Sequence, residues 1–362
     1  MDTISGMPLE LHESYARAMP LIAHALDDAL PPTCDTAWLS KVTRGVGQHW
    51  DLAVVQETIF EPFAHLLKHG GKRLRPFVTY LVLQAYGRDP RHYMAALASS
   101  EFAHVASLIC DDVADNSGLR RGIPTVHTVF GLPVAVNVAF TMINYAALLI
   151  EQANYDIPTW VRAQLHRMMN QAILSSVVGM AGDVTWSWDA HKPVSEAQIW
   201  QHMINRTAPL TFMVPAMVGA LLVCAPERAR LGIAQWATYT GAIYQLVDDI
   251  LNLRPQVPTW GKEWAEDLDG RKMTVPVLYA LQHLEAEDHA RFEKLFNQTV
   301  LTGEDKASLI SLIDKAGAFA YMSQRIQFLV DSAIQSLADV DLPAENIEPL
   351  KAFTESLAKR QL

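Results

Sequence analysis

The chain has 362 residues, of which half are apolar and 19% are charged, and its formal net charge is −10. This length and composition predict a folded chain with a large core, in one big or two medium domains, and exclude an intrinsically disordered protein. The acidic balance argues against a nucleic-acid partner, because phosphate backbones are bound by clustered Lys and Arg. The three cysteines, Cys34, Cys110 and Cys224, form no CxxC pair, so we expect free thiols in a reducing, cytoplasmic environment.

Helical periodicity dominates the chain and strand alternation is scarce, which predicts an all-α protein. Residues 1-51 are expected to form an N-terminal extension of short helical pieces, broken by Pro20, Pro31 and Pro32. Residues 52-362 are expected to form one large helical domain. Its predicted helices are 53–69, 74–86, 90–115, 124–130, 133–153, 158–181, 195–223, 227–253, 272–297 and 304–338.

No targeting segment or membrane span is expected. The N-terminal residues MDTISGMPLELHESY have neither a basic start nor an apolar core segment. The most apolar stretch, 134–150, is interrupted by Asn137, Thr141 and Asn144 and is shorter than the ~20 residues that a bilayer requires. We interpret it as a buried central helix, with a membrane span as the alternative.

Two aspartate-rich motifs carry the strongest chemical signal, DDVAD at Asp111–Asp115 and DDILN at Asp248–Asn252. Each places side-chain oxygens at i, i+1 and i+4 within an apolar helical stretch, so the first and last residues of each motif share a helix face. Clustered carboxylates are costly to bury unless a cation compensates them, and Mg²⁺ commonly joins carboxylates to phosphate oxygens. The pair of motifs therefore predicts a Mg²⁺–diphosphate site. A solvated acidic helix turn is the alternative for either motif alone.

Basic residues accompany these motifs. They are Lys72, Arg73 and Arg75 in GGKRLRP, Arg120 and Arg121 in LRRG, and then Arg206, Lys262 and Lys272. GGKRLRP precedes a predicted helix, where backbone amides and guanidiniums together would hold a phosphate. Each cation alone is typical of a solvated surface, but as a set they predict binding of two diphosphates.

The chain resembles the trans-isoprenyl diphosphate synthases (polyprenyl synthases) from about Glu57 to Leu284. The resemblance lies in collinear motifs: GGKRLRP, EFAHVASLICDDVADNSGLRRGIPTVH, INRTAPL, YQLVDDILNL and GKEWAEDLDGRKMTVPVLYAL. It implies the isoprenoid synthase fold for residues 52-362, which is an all-helical bundle around a deep central cavity and is usually a homodimer. The DDILN form of the second motif and the AED after it look like eukaryotic-type geranylgeranyl diphosphate synthases.

The resemblance also implies a role for each matching position. Residues implied to hold Mg²⁺, expected as three ions, on the diphosphate of an allylic substrate are Asp111, Asp112, Asp115, Asp248, Asp249 and Asn252, with Asp267 completing the second metal shell. Residues implied to contact that diphosphate are Arg120, Arg206 and Lys262, with Lys272 nearby, and those beside the reacting carbons are Thr207 and Gln245. Residues implied to bind isopentenyl diphosphate are Lys72, Arg75, His104 and Arg121.

The implied reaction is a Mg²⁺-dependent head-to-tail condensation of isopentenyl diphosphate with dimethylallyl, geranyl or farnesyl diphosphate. Small residues on the helix before the first motif, Ser100, Ala103, Ala106 and Ser107, are predicted to face the cavity. Their size favours a long product, expected to be geranylgeranyl diphosphate, although small residues also permit close helix packing. The basic end of the chain, Lys359 and Arg360, is expected to fold over the isopentenyl site when that site is occupied.

The chain departs from the family pattern at several positions. Ala139-Phe140 replaces a Gly-Asp pair, Met180 replaces the glutamine of GQxxD, and Arg206 replaces a lysine. Phe140 and Met180 are expected to make the cavity more apolar, and Trp186 and Trp188 either face it or pack elsewhere. Because aromatic faces stabilise cations, a class I terpene cyclase on this scaffold is the alternative function.

A third hypothesis is a non-catalytic partner subunit. The intact Lys72, Arg75 and Arg121 argue against a cyclase, which requires no isopentenyl site. The complete first aspartate motif argues against a non-catalytic subunit. Cys110 is expected to be a buried small residue rather than a nucleophile. Residues 254–271, the longest irregular segment, are the predicted lid.

Overall fold

Long helices form where apolar residues recur at helical spacing. The computed structural model describes residues 7–43, 45, 49–152, 155–188, 194–254 and 264–361. The first nine helices are α1 Leu9–Ala29, α2 Thr36–Thr43, α3 Leu52–Val55, α4 Glu61–Leu67, α5 Leu74–Ala85, α6 Met94–Ala114, α7 Val126–Phe130, α8 Leu132–Gln152 and α9 Thr159–Trp188. The others are α10 Glu196–Ala208, α11 Val214–Leu222, α12 Glu227–Leu253, α13 Glu266–Asp269, α14 Val275–His283, α15 Ala286–Phe296, α16 Gly303–Lys315, α17 Ala318–Ser336 and α18 Ala344–Ala358.

Short π-helical turns, Gln56–Phe60 and Pro209–Met213, join α3 to α4 and α10 to α11. Within the described ranges the sheet is one antiparallel hairpin of two short strands, β1 Leu119–Arg120 and β2 Ile123–Pro124. The prediction of an all-α protein is therefore confirmed.

Two helices form the centre of the bundle and carry the aspartate motifs. The helix α6 is apolar around most of its circumference and buries large side chains such as Phe102 and Ile109. The helix α12 buries Trp236 and Leu246 in the same way. A helix that is apolar on all sides is stable only inside a protein. Both aspartate motifs are therefore carried by core helices of the bundle.

The N-terminal extension packs on the same core. The prediction that Pro20 interrupts it is wrong, because α1 continues through this residue from Leu9 to Ala29. An internal proline costs about 3 kcal/mol, which the burial of apolar residues such as Ile22 offsets. The Tyr15 hydroxyl donates to the Lys72 carbonyl at 2.8 Å, which links α1 to the GGKRLRP loop. A boundary after residue 51 stays a prediction.

Two predicted helices near the C-terminus are each divided in the structure. The segment 272–297 is interrupted at Leu284, which has extended backbone between α14 and α15. The segment 304–338 is interrupted at Gly317, whose φ of 83° lies in the left-handed region. Glycine adopts this conformation without steric cost, and here it ends α16 and starts the turn to α17.

Two helices pass a length-and-composition test for membrane spans, 90–114 and 132–151. Core helices of globular proteins pass the same test. The helix α6 supplies cavity-lining side chains and packs against α8, so burial in the core accounts for its apolar composition.

Candidate active site

A cavity of about 480 Å³ brings together motifs that lie far apart in the sequence. Its volume falls in the usual range for small-molecule sites. Predicted site residues that line it are Lys72, Arg75, His104, Ser107, Asp111, Asp115, Arg120, Arg121, Arg206, Thr207, Gln245, Asp248, Asp249 and Asn252. Lys262 lies outside the described residues, as does half of the predicted lid at 254–271, namely residues 255–263.

The first aspartate motif turns two of its three carboxylates to the cavity. Asp111 and Asp115 line it, and the Lys272 ammonium donates to Asp115 Oδ2 at 2.8 Å. Asp112 is 0% exposed and does not line the cavity, so the structure does not bring this predicted metal ligand to the cavity surface. It accepts from Arg120 Nε at 2.7 Å instead, because one step along a helix turns a side chain by about 100°. Burial raises the pKa of both Asp111 and Asp112.

The second aspartate motif turns all three of its polar side chains to the cavity. Thr207 Oγ1 donates to Gln245 Oε1 at 2.7 Å, and Gln245 Nε2 donates to Asp249 Oδ1 at 2.7 Å. Burial, followed by the charge of Asp267, raises the pKa of Asp249 to about 8. Asn252 is buried, and its Oδ1 accepts from the Asp267 backbone N–H at 3.4 Å. This amide therefore holds the chain that follows α12.

Cations from other elements lie against both motifs. Lys272 is 2.8 Å from Asp115 and 3.6 Å from Asp267, so it connects the two acidic faces. Burial alone would lower the pKa of Lys272, but Asp267 and Asp115 raise it above its ordinary value. Gly179 of α9 permits the close approach of α10, since a Cβ there would overlap the backbone nitrogen of Arg206. The charges of the site are thus largely balanced within the chain.

The C-terminal turn supplies a further cation, as predicted in part. Arg360 lines the cavity, lies 3.4 Å from Asp248 and stacks 5.0 Å from the Tyr244 ring centre. Lys359 pairs with Glu355 at 3.7 Å and does not line the cavity. Arg360 therefore reaches the cavity beside the second aspartate motif, and closure of this basic end over bound isopentenyl diphosphate stays a prediction.

The other end of the cavity is basic. Arg75 Nη2 donates to Thr211 Oγ1 at 3.3 Å, and Arg121 Nη1 donates to the Gly70 carbonyl at 3.1 Å. His104 is buried among these guanidiniums, and burial followed by the charges of Arg75 and Arg121 lowers its pKa well below the ordinary value. A neutral imidazole surrounded by arginines is a hydrogen-bonding group in an anion site.

Most of the residues expected to face the cavity along the growing chain lie elsewhere. Ser100, Ala103 and Ala106 are buried between helices and do not line the cavity, whereas Ser107 does. Phe140 is 71% exposed on the outer face of α8, so it does not line the cavity either. The apolar wall consists of Leu108, Ile143, Ile173, Val177, Met180 and Leu210. The side chains of Trp186 and Trp188 lie outside the described residues.

Cys110 also differs from its prediction. It is exposed and lines the cavity rather than being buried. Desolvation and the neighbouring Asp111 raise the pKa of its thiol to about 11. A thiol with a raised pKa stays protonated and is a poor nucleophile, so its predicted lack of a nucleophilic role is consistent with the site. All three cysteines are free.

The donor set fits Mg²⁺. Carboxylate oxygens of Asp111, Asp115, Asp248 and Asp249 face one cavity from two helices. Across the described ranges, no group of three or more His, Cys, Asp or Glu side chains is arranged to hold an ion by itself. Mg²⁺ usually takes one or two carboxylates and completes its shell with water and substrate phosphate, which this arrangement allows. Acidic faces at one end and guanidiniums at the other thus define a site for phosphorylated substrates.

Comparison with known proteins agrees with this class. Residues 56–313 match the polyprenyl synthetase family model. The geranylgeranyl pyrophosphate synthase of Eremothecium gossypii is 27% identical over 275 residues, which cover 75% of this chain and 85% of that protein. The octaprenyl diphosphate synthase of Escherichia coli is 26% identical over 279 residues, covering 75% and 81%.

Solved structures agree as well. The crystal structure of geranylgeranyl pyrophosphate synthetase from Pyrococcus horikoshii superposes with a TM-score of 0.80 at 24% identity, covering 97% of this chain and 99% of that one. The chain belongs to the polyprenyl synthetase family, has the all-α isoprenoid synthase fold, and is a trans-prenyltransferase.

Glu101 is a charged lining residue that the sequence motifs do not single out. It lies one helical turn before His104 on α6, so the helical spacing placed it on the same face. Its basic partners, Arg73 and Arg121, are distant in sequence, and no local pattern indicates the pairing.

Proposed function

We propose that this enzyme condenses isopentenyl diphosphate head-to-tail with an allylic diphosphate, and that its main product is geranylgeranyl diphosphate. The observation that carries the proposal is the presence of two different anion sites on one cavity. One is acidic and suited to a metal-bound diphosphate, and the other is a cluster of Lys72, Arg75, His104 and Arg121. A condensation of two diphosphates requires both sites.

The acidic site would hold the allylic substrate. Asp111 and Asp115 on one side, and Asp248 and Asp249 on the other, would carry three Mg²⁺ ions, which when bound supply charge neutralisation for a leaving diphosphate. Arg206 adds a guanidinium to the same region. These groups favour the separated charge of the transition state over the intact substrate, which is the condition for catalysis.

The basic site would hold isopentenyl diphosphate with its double bond toward the allylic carbon. The allylic carbon–oxygen bond breaks and its electron pair leaves with the diphosphate. The π electrons of isopentenyl diphosphate form the new carbon–carbon bond, and a proton is then lost to the released diphosphate. Thr207 and Gln245, joined by a 2.7 Å hydrogen bond, present oxygen atoms beside the reacting carbons.

The apolar wall of the cavity contributes to this reaction in two ways. Ile143, Ile173, Val177 and Met180 exclude water from the allylic cation, which water would otherwise quench. They also provide space for the growing chain. The named relatives include geranylgeranyl, octaprenyl and farnesyl diphosphate synthases, so geranylgeranyl diphosphate is the finer part of the proposal.

A homodimer in the cytoplasm is the expected form. The outer faces of α8 and α9 expose the large apolar side chains Leu132, Val136, Phe140, Leu174 and Val178. No charged residue occurs from 132 to 150 or from 168 to 182. Extended apolar patches of this kind on a folded protein commonly mark an interface, and a two-fold pair of identical faces is self-complementary.

Sedimentation tests this association. Phe140→Glu places a charge in the apolar face and is expected to convert a dimer to a monomer. Leu231→Glu is the matched control, because Leu231 is also exposed but lies on α12, away from that face. A wild-type monomer at micromolar concentration, or a dimer that tolerates Phe140→Glu, would contradict the proposed interface.

A product assay tests the function. The enzyme is incubated with Mg²⁺, labelled isopentenyl diphosphate and, in parallel, each of the three allylic diphosphates. Labelled prenyl diphosphates, mainly of geranylgeranyl length, are expected. Lys72→Gln should reduce incorporation, whereas Lys68→Gln, on the exposed residue just before the loop, should not.

A parallel reaction contains geranylgeranyl diphosphate alone. Hydrocarbon or alcohol from this reaction, without label incorporation in the others, would make the enzyme a cyclase and overturn the proposal. The exposed position of Phe140 removes one of the aromatic side chains on which that alternative depends.

A further inference from the structure

One buried carboxylate lies among the arginines of the basic site. Glu101 of α6 is 1% exposed and lines the cavity. Its Oε1 is 2.5 Å from Arg73 Nη1 and 3.8 Å from Arg121 Nη2. The two arginines come from different loops, so Glu101 is the point at which the GGKRLRP loop and the β1–β2 hairpin meet.

The two arginines have an unusual backbone in common. Arg73 has φ 47° and Arg121 has φ 55°, both in the left-handed region that non-glycine residues seldom adopt. Arg121 and Gly122 occupy the two-residue turn between β1 and β2, where positive φ at both positions is typical of a type I′ turn. Strained backbone of this kind persists only where surrounding contacts hold it, and it is concentrated at functional sites.

The side chains of both arginines are directed to protein acceptors as well. Arg73 Nη2 donates to the Leu67 carbonyl, and Arg121 Nη1 donates to the carbonyls of Leu66 and Gly70 at 3.2 and 3.1 Å. These carbonyls belong to the end of α4 and to the loop that presents Lys72. The guanidinium of Arg121 lies so close to Gly71 that a Cβ there would be 2.9 Å from it.

The two arginines nevertheless differ in which of their terminal nitrogens can donate a hydrogen bond to a ligand. Both terminal nitrogens of Arg73 are directed to Glu101 and Leu67. Arg121 Nη2 is 3.8 Å from the carboxylate, beyond hydrogen-bond distance, and it can turn to a phosphate oxygen. The geometry assigns Arg73 to the loop framework and Arg121 to the ligand.

We propose that Glu101 is a positioning residue for the isopentenyl site. By attracting Arg73 and Arg121, it offsets the mutual repulsion of clustered cations and holds Lys72, Arg75 and Arg121 in place before the diphosphate arrives. Its Oε2 is buried without a hydrogen-bond partner. Burying a carboxylate with an unpaired oxygen costs free energy of folding, so a contribution to stability alone does not explain the ion pair of Glu101.

This inference rests on the proposed function and deepens it, so the test must separate the two. Glu101→Gln keeps the size of the side chain and removes its charge. We expect the KM for isopentenyl diphosphate to rise roughly tenfold to a hundredfold, the range seen when outer partners of metal-ligating side chains are lost. The kcat at saturating substrate should stay within about threefold, and the KM for the allylic diphosphate should not change.

A control and a second variant keep the result interpretable. Asp339→Asn removes an exposed ion pair with Arg228 at 2.7 Å and should leave both KM values unchanged. Arg73→Lys keeps the charge but loses the guanidinium fork, and it should raise the same KM. The double variant of Glu101 and Arg73 should be no worse than the more impaired single variant, because both changes remove one interaction.

Three outcomes would overturn the inference. A lower KM for isopentenyl diphosphate in Glu101→Gln would mean that the carboxylate only opposes the anionic substrate. Equal effects on both substrates, or a fall in kcat alone, would indicate a general structural role. If both KM values and kcat of Glu101→Gln equal those of the wild type, Glu101 does not position the isopentenyl site. If the wild-type chain incorporates no isopentenyl label at all, the proposed function itself fails first.

Discussion

The two aspartate motifs have the same i, i+1, i+4 spacing, but they present different groups to the cavity. In the first, Asp111 and Asp115 line the cavity while Asp112 is fully buried against Arg120. In the second, Asp248, Asp249 and Asn252 all line it. Spacing determines which side chains share a helix face, whereas the packing of neighbouring elements determines where that face points.

The partners of the two motifs explain the difference. The β1–β2 hairpin follows the first motif directly and turns Arg120 back onto α6, so the middle aspartate has a cation of its own. The second motif has a neutral hydrogen-bond partner on its own helix. There Gln245, one turn earlier on the same helix, donates to Asp249. The first motif thus divides its carboxylates between the cavity and a guanidinium, and the second directs both of its carboxylates to the cavity.

The largest effect is expected from Asp111→Ala. This carboxylate faces the cavity on the same side as Asp115, and its loss should reduce kcat by about 10³-fold, as expected when a main source of electrostatic stabilisation is removed. Steady-state label incorporation measures the rate, and circular dichroism should show an intact helical fold. Activity within tenfold of the wild type would contradict the metal role of the first motif.

Asp112→Asn tests whether the middle aspartate of the first motif has a different role from Asp111 and Asp115. Because Asp112 contacts Arg120 and not the cavity, the change should cost roughly 10–100-fold in activity, the usual range for a residue that orients another. Arg120→Lys should produce a loss of similar size, and the two changes together should not add. If Asp112→Asn is as inactive as Asp111→Ala, the division of roles within the first motif is wrong.

A smaller loss is expected from Asn252→Ala. The amide holds the Asp267 backbone N–H, but the Ala265 N–H still donates to the Asn252 carbonyl at 3.1 Å in the variant. The backbone at Ala265 should therefore stay attached to the end of α12. We expect a loss of rate of less than about tenfold, with a higher Mg²⁺ concentration needed for half-maximal activity. A loss as large as that of Asp111→Ala would show that Asn252 is itself an essential metal ligand.

The smallest effect concerns His104 at the basic end. Its pKa in the folded chain lies well below the ordinary value of about 6.5. Below about pH 6.5 the imidazole of His104 binds a proton in the unfolded chain but not in the folded chain, so the free energy of unfolding decreases as the pH falls. His104→Gln should lessen this loss, by about 2 kcal/mol at most at pH 5.

Urea unfolding of the ligand-free protein between pH 5 and 8 measures the effect. The free energies of unfolding of the wild type and His104→Gln should run parallel above pH 7, and the wild type should lose more stability than the variant toward lower pH. Parallel curves over the whole range would mean that the folded chain protonates His104 normally.

Sequence reasoning predicted the helical fold and most of the cavity, because both depend on local patterns. Helical periodicity identifies α6 and α12, and the spacing of Asp111 and Asp115 places them on one face. Its errors occur where non-local packing overrides the local signal. The buried face of α1 offsets the cost of Pro20, and Gly317 ends a helix only because the chain reverses there.

The errors within the site have the same cause. Phe140 was assigned to the cavity from its position in a motif, but the packing of α8 on α6 turns that residue outward. The motif predicts a metal role for Asp112, but its contact with Arg120, which comes from the following hairpin, keeps its carboxylate away from the cavity surface. Glu101 could not be assigned from sequence, since its contacts with Arg73 and Arg121 join separate loops.

The central claim is that two unlike aspartate motifs hold metal ions from opposite helices. A crystal structure with Mn²⁺ and an unreactive allylic diphosphate analogue, with the ions located by anomalous scattering, tests it most directly. We predict Mn²⁺ bound by Asp111 and Asp115 and by Asp248 of the second motif, with Asp112 still paired to Arg120. Ions bound to Asp112, or ions bound by one motif alone, would contradict the account.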